Sequence, residues 1–132
     1  MHFFLLYLVT AAVFAIADVI ALNYVMKPLF EKHLGDMLQS PINLVPAMVF
    51  YAFYVAGAVW LVSMPALRDG SVLQAGVNGA ILGALAYGTY EFTNMSTLKG
   101  WDWTMVATDT SWGAILTGAS VAAGVWVVRA MA

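Results

Sequence analysis

The stretch FFLLYLVTAAVFAIADVIALNYVM, residues 3–26, decides the fold class of this chain. Its 24 residues include one charged side chain, Asp18, and as a helix they extend about 36 Å. A helix needs about 20 apolar residues to cross the hydrocarbon core of a bilayer. A strand is not expected, because a single segment in lipid must satisfy its own backbone hydrogen bonds. Residues 3–26 are therefore predicted to form a transmembrane helix.

A cleaved signal peptide is the alternative interpretation of this stretch. Residues 15–17, Ala-Ile-Ala, resemble a small-residue cleavage site. However, no Lys or Arg precedes the apolar run, only His2, and the run continues past residue 17 to residue 26. We therefore expect a retained span.

Three further apolar stretches, residues 42–64, 71–95 and 105–128, have a similar length. The 132 residues are 63% hydrophobic and 9% charged, whereas soluble domains have about 25% charged residues. Short gaps imply antiparallel neighbours. The sequence predicts an all-α integral membrane protein, a four-helix transmembrane bundle with short loops, in one domain over residues 1–132. Most charges fall between or after the spans: Lys27, Glu31, Lys32, Asp36, Arg68, Asp69, Lys99, Asp102 and Arg129.

Several functional classes find no support in the sequence. The net charge is −2, so no basic surface indicates nucleic acid as a partner. The chain has no Cys, which excludes disulfides and thiolate metal sites. The HExxH, GxSxG and P-loop motifs are absent. His2 and His33 lie outside the spans and cannot form the buried axial pair of a b-type haem. We expect no cofactor and no metal; whether the protein is an enzyme stays open.

Three carboxylic acids, Asp18, Glu91 and Asp109, lie within the predicted spans. Such residues cost about 2.5–3.5 kcal/mol on insertion scales, usually face a bundle interior or cavity, and often have a function. Helical rise places Asp18 about 12 Å, and the other two about 6 Å, from the same membrane side. The spans run in opposite directions, so all three acids are predicted to lie in one half of the membrane.

Polar and aromatic residues share helix faces with these acids. Tyr and Trp rings could surround a cation. Small residues such as Gly79 and Gly83 lie on the same stripe, and in membrane helices such residues most often serve close packing. Trp101 and Trp103, beside the last gap, fit an interfacial aromatic belt. The predicted ligand or proton site consists of Asp18, Tyr87, Tyr90, Glu91, Asn94, Asp109 and Trp112.

Two motifs resemble those of a known family. YGTYEFTNMSTLKGW, residues 87–101, and DTSWG, residues 109–113, are similar to motifs of a bacterial family of small four-span membrane proteins, which is catalogued only as a domain of unknown function. FYAFYVAG, residues 50–57, and the segment around Asp18 fit as well. The family more often has Asp at the position of Glu91 and a Trp at that of Ala21. The resemblance implies a bacterial cytoplasmic membrane protein, adds Thr93 and Gly113 as motif positions, and implies no activity.

The leading hypothesis is a polar pocket, lined by carboxylates, Tyr and Trp, that binds a small cation, a proton or a lipid headgroup. Three alternatives stay open. The first is a proton-coupled small transporter that dimerises through a glycine face. The second is a factor acting on lipid, and the third is an accessory subunit of a larger membrane complex. The lipid bilayer is the expected environment in every case, and a homodimer or a larger complex is possible.

Overall fold

The computed structural model describes residues 2–35 and 45–131, and within these ranges the chain forms helices and no strand. The helices are α1 (His2–Leu34), α2 (Val45–Asp69), α3 (Val72–Thr97) and α4 (Trp103–Met131). The prediction of an all-α bundle is confirmed. The first residues of the predicted second span, 42–44, lie outside the described residues.

Three of these helices, α1, α2 and α4, are long and apolar enough to cross a membrane, by length and composition. Helix α3 is long enough, with 26 residues, but it is the least apolar of the four. Its sequence includes Gln74 and Asn78 as well as several Gly and Thr residues. The predicted span over residues 71–95 is therefore not confirmed, although the α3 helix itself is present.

Two prolines explain the irregular course of the first two helices. A π-helical turn over Leu22–Met26 comes before Pro28, and another over Val59–Ser63 comes before Pro65. Proline has no N–H to donate, and its ring clashes with the carbonyl four residues earlier, so the helix widens there instead of ending. Helix α1 consequently continues for eight residues beyond Met26, and Lys27 lies on a helix, not in the predicted loop.

Glycines allow α3 and α4 to pack closely. A Cβ on Gly79 would meet Val121 and the backbone at Gly118, and a Cβ on Gly83 would meet the carbonyl group of Gly113. The glycine stripe of α3 is thus used within the chain. The main core around this contact consists of Leu6, Phe14, Val55, Ala58, Val59, Val62, Ala66, Ala75, Leu116, Val121, Val125 and Val128.

A second, smaller core joins the end of α1 to the start of α4. Trp101 is 8% exposed and contacts the ring of Phe30, with centroids 5.4 Å apart. His33 Nε2 lies 2.8 Å from Asp102 Oδ2. The expectation that Trp101 is an interfacial belt residue is wrong, because the α1 extension covers it; Trp103 is 60% exposed.

Candidate functional site

A cavity of about 770 Å³ lies between α1, the first half of α2, α3 and α4. The polar groups of its wall come from two carboxylates, three Tyr, one Thr and one Lys. The rest of the wall is apolar or aromatic. The lining residues are Asp18, Leu22, Met26, Lys27, Phe30, Pro46, Ala47, Phe50, Tyr51, Ala86, Tyr87, Thr89, Tyr90 and Asp109.

The carboxyl group of Asp18 is hydrogen-bonded to a side chain of α4. Its side chain is buried, at 9% exposure, and Oδ1 accepts a hydrogen bond from Trp112 Nε1 at 3.2 Å. The Tyr51 hydroxyl of α2 lies beside the same carboxyl group. Trp112 does not line this cavity but a second one of about 420 Å³. Trp112 therefore orients Asp18 from behind and is not placed to touch an occupant of the main cavity.

Glu91 lies behind Asp109. The Asp109 carboxyl lines the cavity and is close to those of both Glu91 and Asp18. Glu91 is 0% exposed, and its Oε1 accepts a hydrogen bond from Trp101 Nε1 at 2.9 Å. Its Oε2 has no hydrogen-bond partner among the described residues. The three acids that the sequence nominated are thus adjacent, and Asp109 connects the two others.

We expect Trp101→Phe to destabilise the fold by about 1–3 kcal/mol, the cost of leaving a buried hydrogen-bond acceptor without its donor. The change keeps most of the aromatic packing but leaves Glu91 buried without its donor. Urea unfolding of the purified protein in detergent measures the loss. Trp103→Phe is the matched control, since Trp103 is exposed and its indole nitrogen has no hydrogen bond to another described residue. Equal effects of the two changes would contradict a structural role for the Glu91–Trp101 bond.

A buried hydroxyl without a partner also faces the acids. Tyr87 Oη is inaccessible and has no hydrogen bond to any described residue. It lies near Asp18, Asp109, Tyr51 and Tyr54. Tyr54 in turn hydrogen-bonds to Thr117 Oγ1 at 2.8 Å. Buried polar groups are nearly always satisfied, so the unpaired Tyr87 hydroxyl is an exception beside the acids.

The seven nominated residues divide into two groups. Asp18, Tyr87, Tyr90 and Asp109 line the cavity, whereas Glu91, Trp112 and Asn94 are not among its lining residues. Asn94 lies beside the Tyr90 hydroxyl. The sequence-based site omitted three lining residues with polar side chains, Tyr51, Thr89 and Lys27. Tyr51 was visible as a Tyr near the same membrane side, but Lys27 joins the site only because the helix continues through it.

Asp102 precedes α4 and caps its N-terminus. Its Oδ1 accepts a hydrogen bond from the Thr104 backbone N–H at 3.3 Å, which caps the helix. That N–H, and then the neighbouring His33, lower the pKa of the Asp102 carboxyl. His33 Nε2 lies 2.8 Å from the other oxygen of the same carboxyl group, Asp102 Oδ2. Within residues 2–35 and 45–131, no group of three or more His, Asp or Glu side chains is arranged to hold a metal ion.

Comparison with known proteins yields one match. The family model described as "Predicted membrane protein (DUF2177)" matches residues 3–126. No curated protein and no solved structure matches the chain. The match covers nearly the whole chain, including every helix that contributes to the cavity.

Proposed function

Since this chain belongs to the DUF2177 family of predicted membrane proteins, we propose that its function is to bind an amphipathic organic cation within one leaflet of the bilayer. The observation that carries the proposal is the composition of the cavity wall. Two carboxylates, Asp18 and Asp109, lie together on a surface that is otherwise mainly apolar and aromatic.

The charge of the cavity favours a cationic group. Among the described residues, the only ion pair joins His33 and Asp102, so neither Asp18 nor Asp109 has a Lys or Arg partner. Uncompensated carboxylates in a membrane are costly and normally pair with another group. An ammonium group of a ligand would supply that partner, and the Tyr51, Tyr87 and Tyr90 rings could add cation–π contacts.

The size and walls of the cavity favour an apolar body attached to that cation. A volume of about 770 Å³ is within the range of small-molecule sites, about 300–1,000 Å³. Leu22, Met26, Phe30 and Phe50 offer hydrocarbon contacts. A bare inorganic ion would leave most of this surface unfilled. Lys27 stands about 13 Å along the α1 axis from Asp18, far enough for an ammonium group at Asp18 to avoid it.

Binding of three probes of equal chain length tests the proposal. Octylammonium, octanol and octanoate share an eight-carbon chain and have a cationic, a neutral and an anionic head group, and each is titrated by calorimetry against the protein in lipid nanodiscs and against empty nanodiscs. We expect saturable binding of octylammonium, at least about tenfold tighter than that of octanol, from one charge-assisted hydrogen bond. Tighter binding of octanoate, or no difference from empty nanodiscs, would overturn the proposal.

The family and the apolar helices establish a membrane protein, which sits in a lipid bilayer. A bacterial cytoplasmic location is our proposal and rests on the resemblance of the motifs. Transport, action on lipid and membership of a larger complex stay predictions. The binding proposal is compatible with transport or a lipid-related activity, because both require such a site.

A further inference from the structure

The outer face of α3 is unusual for a surface in contact with lipid. Asn78 is exposed, and its side chain has no hydrogen bond to any other residue in the described ranges. It lies about 9 Å along the helix axis from Val72. An Asn side chain is too short to reach back over that distance to the end of the helix. Within the predicted span over residues 71–95, this amide would have neither water nor protein to bind.

Asn78 belongs to a regular stripe. Gln74, Asn78, Ile81 and Leu85 follow one another at spacings of four, three and four, and all four are exposed. Ile81 is 55% and Leu85 is 64% exposed. Asn78 and Leu85 are seven residues apart, as are Gln74 and Ile81, so the stripe has the spacing by which parallel helices pair side by side. We call these four residues the α3 stripe.

We propose that the α3 stripe is the interface of a homodimer, in which Asn78 pairs with Asn78 of a second copy. In this dimer both copies cross the membrane in the same direction. A twofold axis along the membrane normal therefore places α3 parallel to its counterpart, and identical residues meet near the axis. Asn suits such a position because its amide has both donors and an acceptor, so two copies satisfy each other.

Two features of the chain point to this face and not to the glycines. Gly79 and Gly83, a pair of glycines at the spacing that favours close helix packing, are covered within the chain by α4. Helix α3 is also the least apolar of the four helices, and α4 covers only one side of it. A partner on the α3 stripe would remove the remaining polar groups from lipid. The proposal does not depend on the ligand of the cavity.

Single-cysteine crosslinking in native membranes tests the interface, and the Cys-free chain makes it straightforward. We expect oxidation to yield disulfide-linked dimers for Asn78→Cys, Ile81→Cys and Leu85→Cys. Leu73→Cys and Ile115→Cys are matched controls, because Leu73 is exposed on α3 about 110° around the helix from the centre of the stripe and Ile115 is exposed on α4. Crosslinking of the controls alone, or of no position, would overturn the proposal.

A second measurement tests how much the Asn78 side-chain amide contributes to dimerisation. Asn78→Val is expected to weaken dimerisation in detergent or bilayers roughly 3- to 20-fold, the range for interhelical hydrogen bonds in membranes. Asn23→Val is the control, because Asn23 is an exposed Asn of α1, one turn before Lys27. Single-molecule photobleaching counts the copies in liposomes. A monomeric wild type, or equal weakening by both changes, would contradict the assignment.

Discussion

Gly83→Ala is expected to destabilise the bundle more than any other one-carbon change in the chain. A Cβ at this position would overlap the carbonyl group of Gly113 and press on Thr117 Oγ1. The Gly113 carbonyl group is part of the backbone and cannot rotate away as a side chain can. Helices α3 and α4 would therefore have to separate. Overpacking costs about 1–3 kcal/mol and occasionally more. We expect about 3 kcal/mol, measured by chemical unfolding of the purified protein in detergent.

Gly57→Ala is the matched control for this prediction. Gly57 is also a glycine within an apolar helix, but a Cβ there has nothing within 4 Å. Alanine has the higher helix propensity, by about 1 kcal/mol in water, so we expect unchanged or slightly increased stability. If Gly83→Ala were as stable as Gly57→Ala, the close contact of α3 with α4 would be refuted.

Asp18→Asn is expected to have the largest effect on ligand binding while leaving the fold intact. The Asn side chain keeps an oxygen that can accept the hydrogen bond from Trp112 Nε1. It loses the negative charge that faces the cavity. A hydrogen bond to a charged group contributes about 1.5–3 kcal/mol, so octylammonium binding in nanodiscs should weaken roughly 10- to 150-fold. Octanol binding should change little, because it does not need the charge.

Asp69→Asn removes the same charge elsewhere and is the matched control. Asp69 is exposed at the end of α2 and does not line the cavity. We expect its octylammonium affinity to equal that of the wild type. Equal weakening by both variants would show that the protein's overall charge, not the cavity, attracts the cation. No weakening by Asp18→Asn would remove Asp18 from the site.

The proximity of the three acids could be predicted from the sequence because helices that cross a membrane have a known length and alternate in direction. Depth then follows from residue counting. Counting residues gives the depth of a side chain along its helix, but it does not show whether that side chain lines the cavity or lies behind the residues that do. Glu91 and Trp112 were therefore both assigned to the predicted pocket. In the structure Glu91 is fully buried behind Asp109, and Trp112 donates a hydrogen bond to Asp18 without lining the cavity.

The sequence by itself determined the fold class and the approximate positions of the helices, and it predicted that Asp18, Glu91 and Asp109 lie close together. Composition and span length suffice for these, since lipid permits few alternatives to a helix. Only the tertiary structure decided which side chains meet. The burial of Trp101 depends on the α1 extension, and the free outer face of α3 depends on which side α4 covers. Both features follow from side-chain packing between segments that are distant in the sequence, and the periodicity of a single helix does not predict such packing.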